Sequence, residues 1–187
     1  MVKNYTTQNE LLLKNLLVYY NDKNNLHNML QIINGESKIS LRIVDWFVTN
    51  FAKKDFTVYD TIKNGMNVRF KVYFDYKLKL KAYSKKRFDP FCRWERITIP
   101  YKDGSVIQTT IGQLNFFKWA LENDVIKYIE ENHTSIEHDM NNRNSTSKNK
   151  DAYNNNNSKT RKKREELSVS AVKSIKKEEV EIIVKFD

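Results

Sequence analysis

The sequence predicts an α+β fold: a mostly helical single domain with two β-hairpins over residues 5–140, followed by a disordered basic C-terminal tail. Three observations carry that expectation. Apolar residues recur at helical spacing through most of the chain before residue 141, which gives each helix one face to bury. Asn64-Gly65 and Asp103-Gly104 each separate two β-rich runs, and such pairs accept the positive φ angles of a tight hairpin turn. From Asn141 onward the chain turns to Asn, Ser and Lys, with too little apolar surface to offset the entropy of ordering.

In chain order, Thr7 and Glu10 form a capping box, and Leu12, Leu13, Leu16, Leu17 and Tyr20 follow as the apolar side of a first helix. A second covers Asn25 to Ile33, with Leu26, Met29, Leu30 and Ile33 on one face and Gly35 as its stop; His27 falls off that face as a solvated residue. Ser37 to Lys54 is the most apolar helix candidate and the expected central core helix. Its stripe is Ile39, Ile43, Trp46, Phe47 and Phe51, widened by Leu41, Val44 and Val48, with Arg42 and Asp45 as rim charges.

Phe56 to Ile62 and Met66 to Phe70 form the first hairpin. From Val68 to Ala82 two readings compete. Every second residue is apolar, as in a strand with a basic outer face, yet Tyr73, Tyr76, Leu80 and Tyr83 share a helical face and the Lys, Leu and Ala content suits a helix. We expect strand through about Val72 and helix from there to Tyr83. Pro90 holds Asp89 out of helical geometry, so Ser84 to Phe91 is an irregular connection.

Arg96 to Tyr101 and Ser105 to Thr110 form the second hairpin, and Pro100, which lacks an amide donor, puts its strand at an edge. Thr110 with Gln113 as capping partner opens a helix whose buried side holds Leu114, Phe117, Trp119, Ala120 and Leu121. Asp124 begins another helix, and Thr134 with Glu137 a third, short one. Residues 141–178 read as a flexible linker that carries the basic tetrad Arg161, Lys162, Lys163 and Arg164. Residues 179–187 read as a short β-prone motif built on Val180, Ile182, Ile183, Val184 and Phe186. That motif should seek an exposed sheet edge, on the Pro100 hairpin or on another protein, while the tetrad fits a nuclear import signal or an auxiliary phosphate-binding arm.

Charge is distributed unevenly. The chain carries a net +10, of which +8 falls on residues 69–102 and −5 on residues 103–140. Arg69 to Lys102 holds eleven Lys or Arg against Asp75, Asp89 and Glu95, interleaved with nine aromatics. Cations that neutralise phosphates, mixed with rings that stack on bases, are the material of a nucleic-acid surface. The expected contacts are Lys77, Lys79, Lys81, Tyr83, Lys85, Lys86, Arg87, Phe88, Arg93, Trp94 and Arg96. A solvated face, or a basic surface that docks protein, is the competing account. An acidic patch on residues 122–139 could meet the basic one between subunits and make a homo-oligomer.

The lone Cys92 excludes an internal disulfide and reads as a small apolar filler, and with three histidines it supplies no Cys/His zinc cluster at usual spacings. A reducing intracellular compartment fits best. No stretch is long and apolar enough to span a bilayer, and the N-terminal apolar run is broken by Lys14 and Asn15. GxxxxGK[ST], GxGxxG and HExxH are absent, so nucleotide hydrolysis, dinucleotide chemistry and zinc-protease chemistry lack support. Asp75, Asp89, Glu95 and Asp103 match no metal-nuclease spacing and are outnumbered by neighbouring cations. Neither a cofactor nor an enzymatic activity is expected.

Three segments, SLRIVDWFVTNFAKK (40–54), YKLKLKAYSKKRFDPFCRWERI (76–97) and TTIGQLNFFKWALENDVIKYIEENHTSIEHDM (109–140), together resemble a small basic uncharacterised protein family of nucleocytoplasmic large DNA viruses of the mimivirus type. The resemblance spans most of residues 38–140 and implies a setting rather than an activity. That setting is the host cytoplasm with its virus factory, the nucleus, or the virion, with viral transcription or virion proteins as candidates for the C-terminal motif. The expected function is a non-enzymatic nucleic-acid-binding accessory protein in genome handling, transcription or packaging. The alternative is an assembly adaptor that uses the basic patch, the acidic helices and the C-terminal motif. DNA and RNA are not distinguished.

Overall fold

The computed structural model describes residues 7–63, 65–101, 105–153 and 177–179. Its elements are α1 (Gln8–Tyr20), α2 (Lys23–Ile33), α3 (Leu41–Trp46), a π-helical turn (Phe47–Phe51), α4 (Ala52–Lys54), β1 (Val58–Lys63), β2 (Met66–Lys71), α5 (Val72–Arg87), β3 (Arg96–Pro100), β4 (Ser105–Thr110), α6 (Ile111–Glu122), α7 (Val125–Glu131), α8 (His133–Tyr153) and β5 (Lys177–Glu179). The fold is α+β, mainly helical, with two small antiparallel sheets ordered β1-β2 and β3-β4-β5.

The core is built around α6, not around residues 37–54. Ile111, Leu114, Phe116, Phe117, Trp119 and Ala120 are buried, and so are Gly112, Gln113 and Asn115 between them. A helix buried on every side belongs in the interior, and α6 packs against α1, α2, α5, α7 and β4. Its polar residues are therefore spent on neighbouring backbone. Gln113 Nε2 donates to the Pro90 carbonyl at 3.1 Å, Gln113 Oε1 accepts from Thr109 Oγ1, and Asn115 Nδ2 donates to the Arg87 carbonyl at 2.8 Å. Thr110 caps α6 by accepting from the Gln113 amide.

The segment 37–54 is still core, with Ile39, Leu41, Ile43, Val44, Phe47, Val48, Phe51 and Ala52 buried. It begins later than its sequence suggests, because Ser37 turns the chain through a bond from the Ile39 amide and Ser40 caps α3. Trp46 Nε1 and Lys54 Nζ both donate to the Asp139 carboxylate, at 3.0 and 2.7 Å, and so fasten α3 and α4 to α8. Burial alone would raise the Asp139 pKa; the two hydrogen bonds and the Lys54 charge outweigh it and hold the carboxyl below its ordinary value.

The Asn64-Gly65 hairpin forms as expected, pairing Val58↔Lys71 through Lys63↔Met66 with Gly65 at φ +76. The ambiguous stretch resolves as strand to Lys71 and helix from Val72. Val72 and Tyr76 are buried, and Leu80 and Tyr83 pack partly on the core, so burial of one helical face decides the conformation. Helical geometry fails at Ser84, whose φ of 60 and ψ of 167 kink the chain before Lys85.

Pro100 lies on the edge strand β3, as expected. The other side of β4 is taken by β5, with Ile107↔Lys177 and Ser105↔Glu179 paired, inside and at the border of the stretch expected to be linker and motif. The motif residues Val180, Ile182, Ile183, Val184 and Phe186, the tetrad Arg161, Lys162, Lys163 and Arg164, and the turn at Asp103-Gly104 lie outside the described residues. The expected short helix at Thr134 is instead the long α8, which runs past residue 140 to Tyr153. Ile136 and Met140 bury its first turns, and once a helix is nucleated each added residue costs little.

Aromatic rings connect the elements. Phe47 stacks on Tyr128, Tyr128 on Tyr59, and Tyr59 meets Phe70. Phe70 reaches Trp119, which joins Tyr76, Phe88 and Phe116 at centroid distances of 5.6–6.0 Å.

Candidate nucleic-acid interface

The burial of Val72 and Tyr76 fixes which way α5 faces. Phe74, Lys77, Leu78, Lys81 and Ala82 turn outward, and Asp75, Lys79 and Tyr83, four residues apart, form a flank stripe that is half-buried. Beyond the Ser84 kink, Lys85 and Lys86 are exposed, and so are Arg93, Trp94 and Arg96 on the way into β3. Lys77, Lys81, Lys86, Arg93 and Arg96 have no acidic partner within ion-pair distance among the described residues. The Trp94 ring is 73% exposed.

Three of the expected contacts are placed differently. Phe88 is 1% exposed and stacks inside the aromatic cluster, so it is a core ring and not a base-stacking one. The sequence pattern missed this because a Phe among cations on an irregular connection has no periodicity to assign it. Arg87 is half-buried and donates to Gln8 Oε1 at 3.1 Å, which ties the connection to the start of α1. Tyr83 packs partly on Phe88, at 6.2 Å between centroids, and offers only its remaining surface.

Helix α5 continues past the Ser84 kink to Arg87, so the irregular connection starts at Phe88 and not at Ser84 as expected, and it is held firmly despite its lack of regular structure. A Cβ on Gly112 would stand 2.8 Å from Cys92 Cβ and 3.0 Å from the Lys86 carbonyl, so only glycine lets the loop lie so close on α6. Cys92 is buried there, as a filler should be. Asp89 accepts from the Phe91 amide, and Glu95 from Asn9 Nδ2 at 3.4 Å. Among the described residues no three His, Cys, Asp or Glu side chains come together as a metal site would need.

Beside this face a cavity of about 450 Å³ opens between α5 and α6 under the tip of the first hairpin. Asp75, Lys79 and Tyr83 line one wall, Asn115, Lys118, Trp119, Glu122 and Asn123 the other, and Ile62 with Lys63 closes one end. Of these, Lys79 and Tyr83 are among the expected contacts. The rest come from three separate stretches of sequence, and no local pattern joins them.

The acidic helices are less available than their composition suggests. Asp124 accepts from Thr61 at 2.5 Å, Asp139 is bound by Trp46 and Lys54, and Glu122 pairs with Lys118. Glu130, Glu131 and Glu137 remain exposed.

The sequence profile of DUF7197, a family of unknown function, matches residues 1–185. The chain belongs to that family. This DUF7197 member is 46% identical over 151 residues to the uncharacterized protein L507 of Acanthamoeba polyphaga mimivirus, an alignment that covers 78% of the chain and 58% of the relative. It thus spans less than two thirds of that relative's length. No solved structure matches the DUF7197 member. The relative is thus an uncharacterized protein of a giant virus, the kind of source the resemblance named.

Proposed function

We propose that this DUF7197 member is a non-enzymatic nucleic-acid-binding accessory protein of a large DNA virus, acting in genome handling, transcription or packaging. One observation carries the reading. The outward face of α5 and the connection into β3 present Lys77, Lys81, Lys85, Lys86, Arg93 and Arg96 beside the exposed Trp94 ring, on a loop pinned to the core. Exposed cations displace the counterions of a phosphate backbone, and an exposed indole adds a stacking platform.

The test is a salt titration of binding to duplex and single-stranded probes. Affinity should fall steeply with salt, and Lys77, Lys81, Lys85 and Lys86 together changed to Ala should flatten the slope by roughly one unit per side chain. Arg87 is left intact because it holds α1. Trp94→Ala should cost about 1–3 kcal/mol on a single strand and leave the melting temperature unchanged. Salt-independent binding, or binding indifferent to the quadruple change, refutes the reading.

An assembly adaptor is the second reading. It is favoured by a groove of about 370 Å³ lined by Ala52, Phe56, Val58, Tyr73 and Phe74, with the Phe56 and Phe74 rings 78% and 63% exposed. Capture of a viral protein that Phe56→Ser with Phe74→Ser abolishes, while probe binding persists, would select it.

A further inference from the structure

The cavity between α5 and α6 combines three kinds of group that seldom meet in one small space. Its axis follows from the bonds around it. Trp119 Nε1 donates to Asp75 and Tyr59 Oη to the Asn123 carbonyl, so Asp75, Glu122 and Asn123 share the end under the hairpin. Asn115 donates to the Arg87 carbonyl, so it sits with Tyr83 and Phe88 at the other end. Lys79 and Lys118 lie between, and Lys63 stands at the hairpin tip.

Each part asks for a different chemistry. The Lys79 ammonium calls for an anion. Of the three lysines, Lys118 pairs with Glu122 and lies over the Tyr19 ring at 4.8 Å, outside the cavity lining, and Lys63 lies over the Phe70 ring at 5.1 Å, whereas the Lys79 ammonium has no ion pair or hydrogen bond among the described residues. At the hairpin end the acceptors call for donors. Asn123 is 4% exposed, its Nδ2 donates to the Trp119 carbonyl at 2.6 Å, and its Oδ1 is buried without a hydrogen-bond partner. The half-buried Tyr83 ring calls for a flat apolar surface.

We infer that the cavity is a nucleotide site. A nucleotide carries a phosphate for Lys79, hydroxyl and amino donors for the Asp75 and Glu122 carboxylates, and a planar base for Tyr83. A cavity of about 450 Å³ lies within the ordinary size range for ligand pockets. Inorganic phosphate alone would leave the two carboxylates and the ring unused. The inference deepens the proposed function, on which it rests, because Lys79 adjoins the outward face of α5 where a strand would run. The same chemistry has two sources, a free nucleotide or one nucleotide unstacked from a single strand.

The experiment uses the full chain and titrates AMP, GMP, CMP, UMP, inorganic phosphate and a single-stranded oligonucleotide, on the native protein, on Lys79→Glu and on the milder Lys79→Gln. Both substitutions fall at a partly exposed position and should leave the fold intact, which thermal melting checks. A mononucleotide that binds saturably, at least tenfold tighter than phosphate, and that both variants weaken tenfold or more, supports a free-nucleotide site. Absent mononucleotide binding, a tenfold loss on the single strand with the duplex unaffected supports an unstacked nucleotide. Single-strand and mononucleotide affinities that are both indifferent to Lys79→Glu overturn the inference, and they do so without touching the surface reading, which stands or falls on the quadruple change outside the cavity. Mononucleotide binding with no polymer binding would sink the surface reading and keep the site.

Discussion

The indole N–H of Trp119 donates to the Asp75 carboxylate at 2.6 Å, and this single bond joins the most buried helix of the protein to the first turn of α5. Trp119 is 4% exposed, so losing either partner strands a polar group beside the core. A hydrogen bond to a charged group contributes about 1.5–3 kcal/mol net. Trp119→Phe should therefore lower urea-unfolding stability by that amount with an unchanged m-value, and adding Asp75→Ala should cost less than the two single losses summed. Strict additivity of the pair would show that the bond contributes nothing.

Ser84 occupies a backbone region that is essentially reserved for glycine. Its φ of 60 and ψ of 167 carry a strain of about 1–3 kcal/mol, set against the smaller loss of chain entropy that a glycine brings. Ser84→Gly should raise stability by roughly 1 kcal/mol. A lower midpoint for Ser84→Gly would mean that the kink relaxes in solution.

Asp45 is pushed up from 3.8 to about 6, first by burial and next by the nearby Asp89 charge, with Lys85 partly offsetting both. The folded protein therefore holds this proton where the unfolded chain has lost it. Its contribution is complete below about pH 4 and is lost as the pH rises through about 6. Asp45→Asn should remove that part of the slope, so the stability of the variant relative to the native protein should climb between pH 4 and 7. Parallel pH profiles in chemical denaturation would show that Asp45 titrates normally.

Elements with a local cause were legible in the sequence. Gly65 marked its turn because its backbone sits at φ +76, and Thr110 specified the start of α6 because its hydroxyl accepts the Gln113 amide at 3.2 Å. The change from strand to helix near Val72 was legible because Tyr76, Leu80 and Tyr83 fit one helical face. What depends on distant partners was hidden. Phe88 enters the core only because Phe116 and Trp119 receive it, and Lys63, Lys118 and Asn123 meet Lys79 only after α5 and α6 have packed. The primacy of α6 was hidden too, since Gln113 and Asn115 look like surface residues until Pro90 and Arg87 offer their carbonyls.

The π-helical turn Phe47–Phe51 has a bearing on how this chain can change length. Trp46 and Lys54 both reach Asp139 although eight positions separate them, and in an unbroken α-helix eight positions make about 2.2 turns, leaving the two side chains roughly 80° apart. The wider turn absorbs one residue, so the eight count as seven, close to two full turns. Removing the half-buried Thr49 or Asn50 would return the segment to ordinary α geometry with Trp46 and Lys54 still side by side. One-residue deletions should thus be tolerated at this point, whereas inside α6 the same deletion would turn every later side chain by about 100° and empty the core.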